Sequence, residues 1–295
     1  MSDTAVEYTF PRYLSAKRTV DDRALNHAVW QTLARLVAGQ QATTRNRLEV
    51  LEIGAGIGTM VERVLAWKLF AGPQNAVTYT AIDRETSNVE VARRTLHGVA
   101  DWMELRLDAA DVFEFVERPE AQGQYDLLIA HAFLDLVDMS RVLPKLKRLL
   151  RPGGVFYFTI NFDGVTTIQP ELDPLLDARI EFAYHQTMDE RVTDGYPSGD
   201  SRSGRHLFGH LREAGFHILA AGSSDWVVHP VAGAYLADEA YFLHFIVHTL
   251  HGALATHPAL EGRQFEDWIG ERHAQIDRSD LVYIAHQIDF CGTVE

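Results

Sequence analysis

The sequence predicts an α/β chain: a mostly parallel sheet with helices on both faces. Three observations carry that reading. Short apolar runs ending in Gly, Asp or His alternate with amphipathic stretches between residues 47 and 160. Four residues that close those runs, Gly54, Asp83, Asp108 and His131, fall where a parallel sheet collects its strand ends and its ligands. A glycine-rich turn, "GAGIG", joins the first run to the helix after it.

Taken in order, "TVDDRALNHAVWQTLARLVAG" reads as one helix. Thr19 and Asp22 have capping-box spacing, Gly39 is the stop, and Leu25, Val29, Leu33, Leu36 and Val37 form the apolar stripe. "RLEVLEI" is a strand, and "TMVERVLAWKLF" a helix with Met60, Val64 and Leu65 on one side. "AVTYTAID" is a strand ending at Asp83. "SNVEVARRTLHGVA" is a helix packing Val89, Ala92, Leu96 and Val99. "WMELRLD" and "YDLLIAHAF" are strands ending near Asp108 and His131. "RVLPKLKRLL" is a helix with Pro144 in its first turn, and "RPGG" turns into the strand "VFYFTI".

From about residue 161 the rhythm breaks, and residues 161–200 are too long for a plain connection, which predicts a lid. "SGRHLFGHLREAGF" returns to helix and "HILAAGSSDWVV" to strand. Residues 231 to about 279 read as helical, and "DLVYIAHQIDF" as a last strand. The expected organisation is one domain with four parts. Residues 1–44 are a helical segment over the site, and 45–160 the core. Residues 161–230 are a lid and sixth strand, and 231–295 a helical insertion and final strand.

The 295 residues, 46% hydrophobic, suffice for one large core. With 27 basic against 41 acidic residues the net charge is −14, and no dense Lys/Arg run appears, which disfavours a nucleic-acid partner. Cys291 is the sole cysteine, so no internal disulfide and no paired-thiol zinc site is expected. The N-terminus lacks a secretory pattern, and the apolar stretch "YFLHFIVHTLHGALA" is too short to span a bilayer. A cytoplasmic location with no membrane partner is the expectation.

The glycines select between ligands. A dinucleotide site needs G-x-G-x-x-G, but this chain has G-x-G-x-G at Gly54, Gly56 and Gly58, with Thr59 where the third glycine of the dinucleotide pattern would stand. Glu52 sits two residues upstream. A carboxylate there suits a ligand ammonium group and not a pyrophosphate.

On these residues the chain resembles the class I S-adenosylmethionine-dependent methyltransferases. "LEIGAGIGT" is similar to their first motif, with Glu52, Gly54, Ala55, Gly56 and Gly58 implied in cofactor binding. The resemblance implies that Asp83, next to Arg84 in "TAIDRE", binds the ribose hydroxyls. It also implies that Asp108 and Ala109 in "LRLDAADVFEF" contact the adenine, with Asp111 as a second candidate. "YDLLIAHAFLDLVD" has the general form of the fourth motif and puts His131 at the cofactor, and "LLRPGGVFYFTI" looks like the turn into strand five. The fold implied by the resemblance is a Rossmann-like, seven-stranded, mostly parallel sheet with an antiparallel last strand and helical cap insertions. The implied cofactor is S-adenosylmethionine, with S-adenosylhomocysteine as product.

The implied partner is a small-molecule methyl acceptor, methylated on oxygen or nitrogen, enclosed by the insertions of a monomer or homodimer. An RNA or protein methyltransferase, and a cofactor-binding subunit without activity, are the alternatives. Aminopropyl transfer is disfavoured because "GAGIG" lacks the aspartate of that motif. "AHAF" offers neither an amide- or adenine-modifying motif nor a Pro-Cys pair. The base candidates are His131, Tyr184 and His185. His244, His248 and His251 share one helical face by spacing, but lack an evident acidic fourth ligand, so pocket lining is favoured over metal and no metal is expected. Trp226 and Trp268 read as packing, with an aromatic wall for a flat acceptor as the alternative.

Overall fold

The computed structural model describes residues 7–43, 47–70, 72, 76–98, 102–193, 195–260 and 262–295. Val99, assigned above to a helix stripe, lies outside the described residues. The chain opens with helices α1 (Phe10–Ala16), α2 (Arg18–Ala24) and α3 (His27–Thr43). The core follows as β1 (Leu48–Ile53), α4 (Thr59–Ala66), β2 (Val77–Asp83), α5 (Thr86–Thr95) and β3 (Met103–Ala109). It continues through α6 (Val112–Phe115), β4 (Tyr125–His131), α7 (Met139–Leu149) and β5 (Leu150–Gln169). Then come α8 (Pro174–Asp189), the short strands β6 (Val192–Thr193) and β7 (Tyr196–Pro197), α9 (Ser203–Glu213) and β8 (Phe216–Ser223). The chain closes with β9 (Trp226–Val228), α10 (Glu239–Leu254), α11 (Gly262–Asp277) and β10 (Val282–Val294).

The sheet runs β3-β2-β1-β4-β5-β10-β8, with β9 also pairing to β10. The first five strands on this path are parallel, and β10 is antiparallel to β5, β8 and β9. The sheet is thus eight-stranded, because "HILAAGSSDWVV" is two strands separated by a break at Ser224–Asp225. Strand alternation sends neighbours to opposite faces. Val50 joins one core with α3, α4 and α10, while Leu51 joins another with α7 and α9.

Several segments differ from the sequence expectation. The predicted first helix breaks at Leu25, whose ψ of 127° is not helical. Asn26 Oδ1 accepts the amides of Ala28 and Val29, so the helix restarts there as α3 and runs past Gly39. Thr19 and Asp22 are not a capping box: Thr19 bonds Glu239 and Asp22 bonds Arg63. The helix holding Pro144 begins two residues earlier, capped by Asp138, so the proline is interior and leaves one helical bond without a donor.

The fifth strand continues to Gln169 because β10 pairs along most of its length. The lid is largely a helix, α8, capped by Asp173 and buried at Leu176, Ile180 and Ala183, an i, i+4, i+7 stripe. Residues 231–238 are not helical, and the insertion itself is the pair α10–α11. Arg272 of α11 ties this cap to α8: it donates to the Pro170 carbonyl at 2.6 Å and to Asp177 at 2.7 Å.

Candidate functional site

The site begins where β1 and β2 end. Gly54, Gly56 and Gly58 have φ of 64°, 56° and 84°, which glycine alone adopts readily. Space is as restrictive as conformation. A Cβ on Gly54 would lie 2.5 Å from the Phe133 ring, and one on Gly58 would lie 2.5 Å from Leu96. The turn is fastened to β2: the Ala55 amide donates to the Ile82 carbonyl, and the Gly56 amide to Asp83 Oδ2 at 2.8 Å. Asp83 Oδ1 accepts from the Glu85 amide at 2.9 Å and from Asn88 at 3.1 Å. One carboxylate therefore joins the glycine turn to the start of α5. Oδ2 keeps acceptor capacity for a ligand hydroxyl. Arg84 is exposed beside it and pairs with Glu85.

The other predicted residues part company. Glu52 is buried, and its Oε2 accepts from the Tyr79 hydroxyl at 2.8 Å. Its carboxyl thus faces a phenol in the core, where the sequence placed it toward a ligand ammonium group. Burial pushes it up to about 8, although Tyr79 and Arg63 pull the other way. Asp108 pairs in register with Ile82 and Ala109 with Asp83, so alternation directs Asp108 to the face opposite Asp83. There it lines a cavity of about 370 Å³ with Thr80, Arg106, Phe115 and Tyr125. Asp111, the second candidate, caps α6 through the Phe113 amide at 2.7 Å.

His131, at the end of β4, has both ring nitrogens engaged. Nδ1 stands 2.9 Å from the Thr159 hydroxyl and Nε2 stands 3.0 Å from Asp21. Burial lowers the ring to about 4, although Asp21 opposes this. The ring is therefore neutral near pH 7, with Nε2–H donating to Asp21 and Nδ1 accepting from Thr159. Burial alone would raise Asp21, but Lys17 and His131 outweigh it and keep the carboxylate ionised. Lys17 lies 3.2 Å from Asp21, and the Trp226 indole donates to Asp21 at 2.9 Å. Asp21 thus pins α2 over the strand ends, and Leu14 of α1 reaches the Gly56 Cα.

Sequence reasoning named neither Lys17 nor Asp21 as a site residue. The signal was available only as a buried charge on a segment read as a cover. Nor did it name Arg63, which is buried, donates to Asp22 at 2.6 Å and leaves Nη2 without a partner.

Tyr184 and His185 lie on α8. Burial pushes the Tyr184 hydroxyl up to about 12, while the His185 ring faces the Thr166 hydroxyl at 3.2 Å. The three cap histidines share a face but not a ligand. His244 meets His273 at 2.8 Å, His248 stacks on Tyr8, and His251 meets Glu266 at 2.8 Å. Among the described residues, no group of three or more His, Cys, Asp or Glu is placed to hold a metal ion, and no helix is long and apolar enough to cross a membrane. Trp268 donates to Asp177, so it is a cap-packing residue, whereas Trp226 belongs to the site through Asp21.

Residues 51–156 match a family model described as a methyltransferase domain. The chain is 31% identical over 129 residues to a dimethylglycine N-methyltransferase of Parasynechococcus marenigrum (strain WH8102), covering 42% of this chain and 42% of that protein. It is 32% identical over 131 residues to the highly reducing polyketide synthase sor1 of Hypocrea jecorina (strain QM6a), covering 42% of this chain but 5% of that one. The chain thus spans less than half the length of the curated relatives it matches. Among solved structures, one from Bacillus halodurans C-125 named a "putative methyltransferase" superposes with a TM-score of 0.50 at 17% identity, covering 89% of this chain and 98% of that one. Residues 51–156 thus match a methyltransferase domain, and the chain shares its fold with the Bacillus halodurans structure.

Proposed function

We propose that this protein transfers the methyl group of S-adenosylmethionine to a small-molecule acceptor. The observation that carries the reading is the glycine turn fastened to Asp83 at the carboxyl ends of β1 and β2, beneath a cover built from α1 and α2. The backbone of Gly54, Ala55, Gly56 and Gly58, together with Asp83, would hold the nucleoside. The bound cofactor supplies an electrophilic methyl group, so the chain's own work is to bind, orient and exclude water. Neutral His131 and ionised Asp21 close the far side of the site at β4.

The cover supports a small acceptor over a polymer. Arg23 and Thr19 of α2 bond the buried Glu239 of α10, and Arg272 of α11 binds Asp177 of α8, so the N-terminal segment is tied to the cap and the cap to α8. The charge of −14 supports the same reading against nucleic acid. The test is to incubate the protein with methyl-tritiated S-adenosylmethionine and either a deproteinised small-molecule extract or the RNA and protein fractions of the same cells. Label entering the small-molecule fraction, and absent with Asp83→Ala, is the expected result. Label entering only the polymers would refute the acceptor class, and no transfer to any fraction would refute the activity.

A further inference from the structure

Three tyrosines come from distant parts of the chain, Tyr13 from α1, Tyr184 from α8 and Tyr283 from β10, and the last two lie near enough for their charges to act on Tyr13. The Tyr13 ring lies 4.2 Å from Phe245 and 5.8 Å from Phe242, stacked on both. Phe242 in turn meets Tyr283 at 6.1 Å and Trp226 at 5.3 Å, edge-on. Trp226 bonds Asp21, and Asp21 bonds His131. Aromatic rings, joined to His131 through Asp21, therefore run from α10 to the end of β4.

The hydroxyls of the three tyrosines have nothing to do within the protein. Among the described residues, none hydrogen-bonds the phenol oxygen of Tyr13, Tyr184 or Tyr283. None of these oxygens is sealed in the core as the Tyr157 hydroxyl is. Tyr13 and Tyr184 are half-buried, and burial raises both hydroxyls. The charge of Asp135 acts on both of them.

Asp135 follows β4 in the turn Leu134–Leu136, and its Oδ1 is buried without a partner. The backbone there is clamped: Arg191 donates to the Asp135 carbonyl at 2.6 Å, and Gly199 packs against the same carbonyl. Burial raises the Asp135 carboxyl, while Arg191 and Lys17, neither in an ion pair with it, pull the other way and favour the carboxylate.

We propose that Tyr13, Tyr184, Tyr283 and Asp135 form the acceptor subsite, and that it takes a small amine methylated on nitrogen. The inference rests on the methyltransferase reading above. Tyrosine faces attract cations, a buried carboxylate supplies the counter-charge, and free phenol oxygens accept from N–H groups. An anionic acceptor would instead meet Asp135 and Asp21 together. In the reaction the amine lone pair attacks the methyl carbon. The N–C bond forms as the C–S bond breaks, and the electron pair stays on sulfur. An amine that arrives as its ammonium gives one proton to the Asp135 carboxylate before attack, which frees the lone pair. The product is then an ammonium carrying one more methyl group, quaternary where the acceptor was tertiary.

The test is calorimetric titration of tetramethylammonium chloride into the full chain saturated with S-adenosylhomocysteine. tert-Butanol, neutral and of similar shape, is the control. Saturable binding of the cation but not of the alcohol is expected. The variants D135N and Y184L should each weaken it at least tenfold while keeping their affinity for S-adenosylhomocysteine. Failure of the wild type to bind S-adenosylhomocysteine would sink the methyltransferase reading and this inference with it. If S-adenosylhomocysteine binds but the cation does not, or the alcohol binds equally, or both variants bind the cation as the wild type does, the inference alone is overturned.

Discussion

Glu52 shows how burial decides what a residue does. It stands in the position where the methyltransferase resemblance implies ligand contact, yet it bonds Tyr79 and is closed to solvent. A carboxyl raised from 4.5 to about 8 binds its proton more tightly in the folded than in the unfolded chain. Its contribution to stability is thus full below the unfolded value and is lost as pH rises through the folded one. Glu52→Gln, which mimics the protonated form, should remove that slope. Urea unfolding between pH 5 and 8.5 should show the wild type losing on the order of a few kcal/mol relative to the variant. Parallel pH profiles for the two proteins would mean that Glu52 is ionised in its pocket.

At the scale of elements, the cover is held by few side chains. Asp21 pairs with Lys17 and accepts from His131 and Trp226, so one carboxylate links α2, β4 and β9. Removing one partner from a buried charged cluster costs about 3–5 kcal/mol because the remaining charge stays buried. In Asp21→Ala, α1 and α2 should detach before the sheet does. Limited trypsin digestion should then cut at Lys17, Arg18 and Arg23 at a rate at least tenfold above wild type, with residues 48 onward still protected. Equal cleavage rates would show that apolar contacts of Ala16, Val20 and Leu25 hold the cover without Asp21.

The core was legible because its signals are local. β1, β2 and β4 are short, mostly apolar segments, and the turn after β1 is written in glycines whose replacement would meet Phe133 at Gly54 and Leu96 at Gly58. The cover was less legible because its signals are long-range. Asn26 looks like any helix residue until its amide meets Asp289, and α8 hides behind turn residues and the exposed Leu175 and Phe182. The site divided in the same way. Asp83 was a candidate from its place after a strand and is fastened to the glycine turn, whereas Asp21 and Asp135 become candidates only when the fold brings them to the end of β4.

For the whole molecule, the central claim is that the Gly54–Gly58 turn and Asp83 hold S-adenosylmethionine. Isothermal titration of S-adenosylmethionine and S-adenosylhomocysteine into the wild type and Asp83→Ala, with NADH as control, tests it most directly. The account predicts micromolar binding of the first two to the wild type, at least tenfold weaker binding to a folded Asp83→Ala, and none of NADH. Equal affinity in the variant, or NADH binding in place of the sulfonium and its thioether product, would contradict it.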